Sequence, residues 1–97
     1  MNDLSFEWDP VKAARNAAKH GVTFEEARAV FLDEHALVIP DPDHSQQEER
    51  FIIMGQGAKL RVLVVVHCFR QKGSSIRIVS ARRARTKEQK PYWENLK

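Results

Sequence analysis

The 97-residue sequence has only one cysteine, four glycines and four prolines, and it contains no long hydrophobic run. A single cysteine, Cys68, excludes an internal disulfide framework, and its position in an apolar run favours a buried thiol over a reactive one. The longest apolar run falls short of the roughly 18 residues that cross a bilayer, and the N-terminus lacks a signal-peptide core. We therefore expect a cytoplasmic protein that does not contact a membrane.

The sequence also lacks the spacings that typically hold metals and cofactors. Its four histidines fall in separate predicted elements, no His-x-x-x-His pair occurs, and there is no glycine-rich phosphate loop. An acidic stretch could bind a cation, although a solvated loop is the favoured interpretation; it comprises Asp41, Asp43, His44, Glu48 and Glu49. We expect no metal and no cofactor. With 42% hydrophobic and 30% charged residues and no repeat, residues 1–97 are expected to form a single domain.

Basic residues are concentrated at the C-terminal end. Residues 1–69 contain seven Lys or Arg and eleven Asp or Glu, whereas residues 70–97 contain nine basic and two acidic residues, a net charge of +7. A charged surface that faces only solvent typically has a smaller excess of positive over negative residues. The asymmetry therefore favours a polyanionic partner such as a nucleic acid.

Hydrophobic periodicity and capping residues predict an α+β fold in the order βααββββα, with an antiparallel sheet of four to five strands, two N-terminal helices and a C-terminal helix. Asp9-Pro10 is typical of a helix start and Gly21 of a helix end. Thr23 and Glu26 have the spacing of a capping box. The predicted elements are a strand at residues 4–8, helices at 10–20 and 24–33, strands at 36–39, 50–55, 60–69 and 74–82, and a helix at 86–95 that Pro91 would interrupt or kink.

The last two strands are predicted to form a hairpin around residues 70–73. If Phe69 pairs with Ser74, one side of the sheet carries Arg61, His67, Ser80 and Arg82. A register slip of one residue would replace Ser80 and Arg82 with Arg77 and Arg83.

This constellation contains side chains suited to phosphate chemistry. Guanidinium groups bind phosphate bidentately and can stabilise developing negative charge, and a histidine can move protons near neutral pH. RNA carries its own nucleophile, the 2′-hydroxyl, so a cleaving enzyme needs no metal if it orients that group. Structural alternatives remain open: a solvated sheet edge for the arginines, a packed sheet histidine for His67, and docking of the last helix through Tyr92 or Trp93 instead of base stacking.

Several segments together resemble the BrnT toxin family over nearly the whole chain. The matching segments are Phe6-Glu7-Trp8-Asp9, Asn16-x-x-Lys19-His20-Gly21-Val22-x-Phe24, Pro40-Asp41-Pro42-Asp43-His44-Ser45, Glu49-Arg50-Phe51, and Ile78-Val79-Ser80-Ala81-Arg82 with Glu88 downstream. The resemblance implies a RelE-like fold and a ribonuclease toxin of a type II toxin–antitoxin pair that inhibits translation. It also implies metal-independent RNA cleavage and a BrnA-like ribbon-helix-helix antitoxin, through which alone the toxin would contact DNA.

The site residues follow from the resemblance and from the strand register together. Relatives tend to carry arginine at three of these positions, so the predicted catalytic residues are Arg50, Arg61 and Arg82, with His67 as the candidate proton carrier. The predicted RNA-binding residues are Arg77, Arg83, Arg85, Lys87 and Tyr92. Lys19-His20 matches a family motif, although a cationic helix end that complements the helix dipole is the favoured interpretation. A non-catalytic nucleic-acid-binding module remains the alternative function.

Overall fold

The computed structural model describes residues 4–41 and 49–96, which form a five-stranded sheet with helices. The strands are β1 (Ser5–Glu7), β2 (Leu37–Pro40), β3 (Phe51–Gln56), β4 (Val62–Arg70) and β5 (Ser75–Arg83), and the α-helices are α1 (Pro10–His20), α2 (Phe24–Arg28) and α3 (Lys90–Asn95). The predicted α+β order is confirmed. Part of the predicted loop, including Pro42, Asp43, His44, Ser45 and Glu48, lies outside the described residues. None of the described helices is long and apolar enough to span a bilayer.

The strands lie in the order β1-β5-β4-β3-β2. The β2–β3, β3–β4 and β4–β5 pairs are antiparallel, as predicted, whereas β1 runs parallel to β5. This edge pairing is possible because α1 and α2, with the rest of the chain, separate the two strands in sequence. The longest strands, β4 and β5, therefore lie inside the sheet, as the valine-rich run of β4 suggested.

Local capping explains where the N-terminal helices begin and end. The Asp9 side chain accepts a hydrogen bond from the Val11 amide at 2.8 Å, and Gly21 ends α1 in the left-handed conformation, with φ of 68°. Thr23 caps α2 by accepting from the Glu26 amide at 3.0 Å. The helix tightens into a 3₁₀ helix over Ala29–Leu32, so the predicted second helix is confirmed with a change of helix type.

The predicted pairing of Phe69 with Ser74 is wrong, because Phe69 lies opposite Ile76. A 3₁₀ turn over Gln71–Gly73 makes the hairpin connection longer than expected. A β-bulge then shifts the register again: His67 lies opposite Ile78 but Val66 lies opposite Ser80. One residue of β5 is therefore extra, and the side chains beyond it change face relative to the prediction.

Each face of the sheet has its own apolar core. On the helix-covered face, Phe24 and Val30 pack with Leu63, Val65 and further residues of the sheet. On the opposite face, a smaller cluster forms beneath α3; it contains Val62, Val64, Ala84 and Tyr92, with Leu37, Ile52 and Met54 packed against it. Side chains of alternate residues along β4 and β5 thus face different environments.

The C-terminal helix is shorter than predicted. It begins at Lys90 instead of Thr86, and residues 86–89 form turns. Proline lacks an amide hydrogen and its ring collides with the carbonyl four residues earlier, so Pro91 is accommodated only in the first turn of a helix. Pro91 therefore places the start of α3 and does not kink a longer helix.

Candidate functional site

Four basic residues lie where α1 ends, β4 begins and β5 ends. The Arg61 guanidinium donates to the Gly21 carbonyl at 3.1 Å, which brings it next to Lys19 and His20, the last two residues of α1. Arg83 lies opposite Leu63, two residues beyond Arg61, so the two arginines are diagonal neighbours on the helix-covered face. We call Lys19, His20, Arg61 and Arg83 the cationic end of the sheet.

An ion pair with a buried carboxylate fixes Arg61 in this cluster. Its Nε and NH2 groups donate to the two carboxylate oxygens of Glu26 at 2.9 and 2.5 Å. The Glu26 side chain is only 3% exposed, against 27% for Arg61. The Glu26 carboxylate is thus directed to Arg61, and the α2 N-terminus is capped by the Thr23 hydroxyl, which accepts from the Glu26 amide. The paired carboxylate raises the pKa of Arg61, so the guanidinium remains charged.

A buried amide fixes the orientation of α1 against the sheet. The Asn16 side chain donates to the carbonyls of Ala81 and Val22 at 2.7 and 2.9 Å, and it accepts from the Ala81 amide at 3.1 Å. All three bonds are in the protein interior. Asn16 therefore couples the helix that carries Lys19 and His20 to the strand that carries Arg83.

The cationic end combines one imidazole with one ammonium group and two guanidinium groups. Lys19 and Arg83 are exposed, and His20 and Arg61 are partly exposed. Imidazole groups exchange protons near neutral pH, and ammonium and guanidinium groups bind phosphate oxygens. This arrangement can hold a phosphate and move a proton near it.

Arg82 lies on the opposite face of the sheet from Arg61. Its two terminal nitrogens each donate to a Glu88 oxygen at 2.8 Å, and the Arg85 amide donates to Glu88 at 2.7 Å. Hydrogen bonding from Arg82 is the largest of several contributions that lower the pKa of Glu88 to about 2, against the opposing effect of burial. The predicted grouping of Arg61, His67, Ser80 and Arg82 on one side is therefore wrong, because the bulge turns Ser80 and Arg82 to the α3 side.

His67 is enclosed by aromatic rings and is 2% exposed. Its ring centroid lies 4.8, 6.1 and 5.6 Å from those of Phe31, Phe51 and Phe69. Burial lowers the pKa of His67, although its contact with the Val65 carbonyl opposes this effect. The interior position does not allow the contact with substrate that the sequence interpretation assigned to His67, and it matches the packed histidine kept open as the alternative.

Tyr92 is likewise removed from solvent, at 1% exposure. Its hydroxyl donates to the Asp33 carboxylate at 2.5 Å, and burial together with this bond raises the pKa of Tyr92 to about 12. The pKa of Asp33 is lowered. Burial alone would raise it, but hydrogen bonds from the Tyr92 hydroxyl and from backbone amides outweigh the effect of burial. Tyr92 docks α3 on the sheet, so its ring is not available for the predicted stacking on an RNA base.

The remaining predicted residues lie in different surroundings. Arg77 forms an ion pair with Glu7 of β1 at 2.9 Å. Arg83, Arg85 and Lys87 are exposed at the end of β5 and in the turns that follow. Arg50 directly precedes β3, where its carbonyl accepts from the Asp41 amide at 2.9 Å. The predicted set is therefore divided between two faces of the sheet.

Sequence reasoning missed the side chains that organise the arginines. Glu26 was assigned to capping and Asn16 only to a family motif, because their partners are 35 and 65 positions away. The available indication for Asn16 was a polar residue among the alanines of α1, whereas Glu26 had no such local signal. Within residues 4–41 and 49–96, no three His, Cys, Asp or Glu side chains are grouped so that they could hold a metal ion.

Comparison with known proteins identifies a family and a similar solved structure. The family model for the ribonuclease toxin BrnT of type II toxin–antitoxin systems matches residues 8–88. The crystal structure of the Brucella abortus ribonuclease toxin BrnT matches with a TM-score of 0.68 and 25% sequence identity, covering 87% of this chain and 100% of that chain. No curated protein matches significantly. The chain therefore belongs to the BrnT family of ribonuclease toxins of type II toxin–antitoxin systems.

Proposed function

We propose that this chain is an endoribonuclease that cleaves RNA without a metal ion and whose active site is the cationic end of the sheet. The observation that carries the activity is the match of residues 8–88 to a ribonuclease toxin family. The location is supported by the proximity of an exposed lysine, a histidine and two arginines at the junction of α1, β4 and β5. RNA supplies the nucleophile, so the protein has to orient it, bind the phosphate and move two protons.

In the proposed reaction the ribose 2′-oxygen attacks the adjacent phosphorus and the bond from phosphorus to the 5′-oxygen breaks. The 2′-hydroxyl proton is taken up as attack proceeds, and the 5′-oxygen receives a proton as it leaves, so the products are a 2′,3′-cyclic phosphate and a 5′-hydroxyl. Lys19, Arg61 and Arg83 would stabilise the charge that develops on the phosphate oxygens. His20 is the candidate for proton transfer, since His67 is buried.

Cleavage of a labelled RNA in excess EDTA tests this proposal. We expect the unmodified protein to produce cyclic-phosphate ends, and His20→Ala or Arg83→Ala to reduce the rate by about 10²-fold or more. His35→Ala and Arg15→Ala are matched controls, because both side chains are exposed outside the cationic end; they should cleave at the original rate. Arg50→Ala and Arg82→Ala test the catalytic roles assigned from the sequence.

The same assay separates catalysis from simple binding. Binding of RNA that weakens with salt, with no products at high protein concentration in EDTA, would identify a nucleic-acid-binding module and reject the enzyme. Products that form only after Mg²⁺ is added would reject metal independence while keeping the ribonuclease activity.

We further propose that a BrnA-like ribbon-helix-helix antitoxin neutralises the chain in the cytoplasm and provides its only route to DNA. Membership of a type II toxin–antitoxin family supports a protein partner. Growth arrest on expression, relieved by co-expression of the adjacent reading frame, is the expected outcome. Continued arrest would reject that polypeptide as the antitoxin.

A further inference from the structure

An apolar groove runs across the sheet on the face opposite α1 and α2. It has a volume of about 370 Å³, and its apolar lining comes from β2, β3, β4 and α3. The lining side chains are Leu37, Ile39, Ile52, Met54, Val64 and Pro91. Ile39 is 55% exposed although it faces the groove, so this apolar surface is open to solvent in the free chain. The groove plays no part in the site proposed above, which lies on the other face.

The chemistry of the groove suits a polypeptide better than RNA. RNA-binding surfaces stack bases on aromatic rings or guanidinium planes. Here the lining is aliphatic, and the one guanidinium at its edge, that of Arg82, is already neutralised by its bidentate ion pair with Glu88. Apolar side chains of a partner would bury the lining without leaving a polar group unsatisfied.

Basic residues beside the groove indicate that this partner carries negative charge. Residues 82–90, which lead from β5 into α3 past the groove, contain five basic residues and one acidic residue. Glu88 is already bound to Arg82, which leaves the positive charge of Arg85, Lys87 and Lys90 without a neutralising carboxylate in this segment. A partner with acidic residues beside its apolar ones would match both features.

We propose that this groove receives an amphipathic helix of the antitoxin, whose apolar face contacts the groove and whose flanking acidic residues face Arg85, Lys87 and Lys90. The inference rests on the antitoxin partner included in the proposed function. Helices bind such grooves through apolar side chains spaced three and four residues apart. The apolar contacts would then lie on the face opposite the cationic end and would involve none of Lys19, His20, Arg61 and Arg83.

Two neighbouring residues of β2 provide a matched test. Val38 and Ile39 are each 55% exposed, but Ile39 faces the groove and Val38, opposite Ile53, faces the helix-covered side. The probe is the purified antitoxin polypeptide encoded beside the toxin gene, titrated against the full chain. Ile39→Glu should weaken binding by about tenfold or more, whereas Val38→Glu, which adds the same charge on the same strand, should change it by less than about threefold. Equal affinities of the two variants would overturn the proposal.

A second pair of variants tests the charge match and does not depend on the stability of β2. Lys90→Glu should weaken binding and reduce its dependence on salt, whereas Lys12→Glu, an exposed change on α1, should do neither. If Ile39→Glu changes the oligomeric state of the toxin in the absence of antitoxin, the groove is occupied by a second copy of the chain and the proposal fails. RNA cleavage is measured on the same samples: antitoxin binding that depends on Ile39 in a chain that cuts no RNA would reject the proposed activity and keep the docking site.

Discussion

At the scale of single residues, three arginines of this chain form ion pairs that differ in the burial of the carboxylate. Arg61, Arg77 and Arg82 each bind a carboxylate, from Glu26, Glu7 and Glu88 respectively. Only the first of these carboxylates is buried. Loss of Arg61 therefore has a larger structural consequence than loss of the other two, since an unpaired carboxylate in the interior is costly.

We predict that Arg61→Ala lowers the free energy of unfolding by about 2–3 kcal/mol, somewhat less than for a fully buried pair because Arg61 is partly exposed. The double variant Arg61→Ala with Glu26→Gln should recover part of that loss, because it removes the unpaired charge. Urea unfolding of the three proteins measures both effects. If the double variant is the least stable of the three, an uncompensated Glu26 charge is not the cause. The experiment also shows whether loss of RNA cleavage in Arg61→Ala reflects chemistry or folding.

The sequence identified the residue types at the candidate site more successfully than their contacts. Arg61 and Arg83 were both named from the sequence, but their grouping was wrong because the register was inferred from one assumed pair in the hairpin. His67 was named because a histidine in a strand beside arginines suggests proton transfer. Its burial depends on Phe31, Phe51 and Phe69, which come from other parts of the chain.

At the scale of elements, the attachment of α1 to β5 determines the geometry of the cationic end. Asn16 makes all three of its hydrogen bonds to backbone groups of Val22 and Ala81. These groups would lose their partners if the amide were removed, and buried unsatisfied backbone groups are unfavourable.

We predict that Asn16→Ala lowers the free energy of unfolding by about 3 kcal/mol, and that it increases hydrogen exchange at the Ala81 amide. Arg15→Ala, an exposed change in the same helix turn, should alter stability by no more than about 0.5 kcal/mol. Urea unfolding and amide exchange provide the measurements. Unchanged protection of the Ala81 amide in the Asn16 variant would show that the helix is held by other contacts.

The order of elements could be predicted because it depends on local patterns. Asp9-Pro10, Gly21 and Thr23 act within one turn of helix, and the apolar run of β4 is continuous. The parallel pairing of β1 and the bulge in β5 could not be predicted, because both depend on packing between distant residues. The start of α3 was misplaced because Thr86 was given more weight than Pro91.

At the scale of the whole molecule, titratable groups whose pKa is lowered in the folded chain make stability depend on pH. Burial lowers the pKa of His67, so below pH of about 6.5 the unfolded chain binds a proton that the folded chain does not. The pKa of Glu88 is lowered to about 2 in the folded chain. As pH falls below 4.5, the unfolded chain therefore protonates Glu88 while the folded chain keeps it ionised. In both cases the unfolded state binds more protons, and stability therefore decreases as pH falls.

We predict that the free energy of unfolding decreases between pH 7 and pH 5 with a slope of up to about 1.4 kcal/mol per pH unit from His67. In His67→Phe, which keeps an aromatic ring in the cluster, this slope should be reduced. Below pH 4.5 both proteins should lose further stability through Glu88. Urea unfolding at half-unit steps of pH provides the comparison, and an identical slope in the two proteins from pH 7 to pH 5 would assign the effect to other groups.

The parallel pairing of β1 with β5 affects when the fold can form during synthesis. Glu7 contacts Ser75 and Arg77, 68 and 70 residues later in the chain. The first strand therefore has no partner in the sheet until β5 has been synthesised and has left the ribosome. Because contacts this distant in sequence are slow to form, we expect the β1 edge to join the sheet after the β3–β4 and β4–β5 pairs have formed.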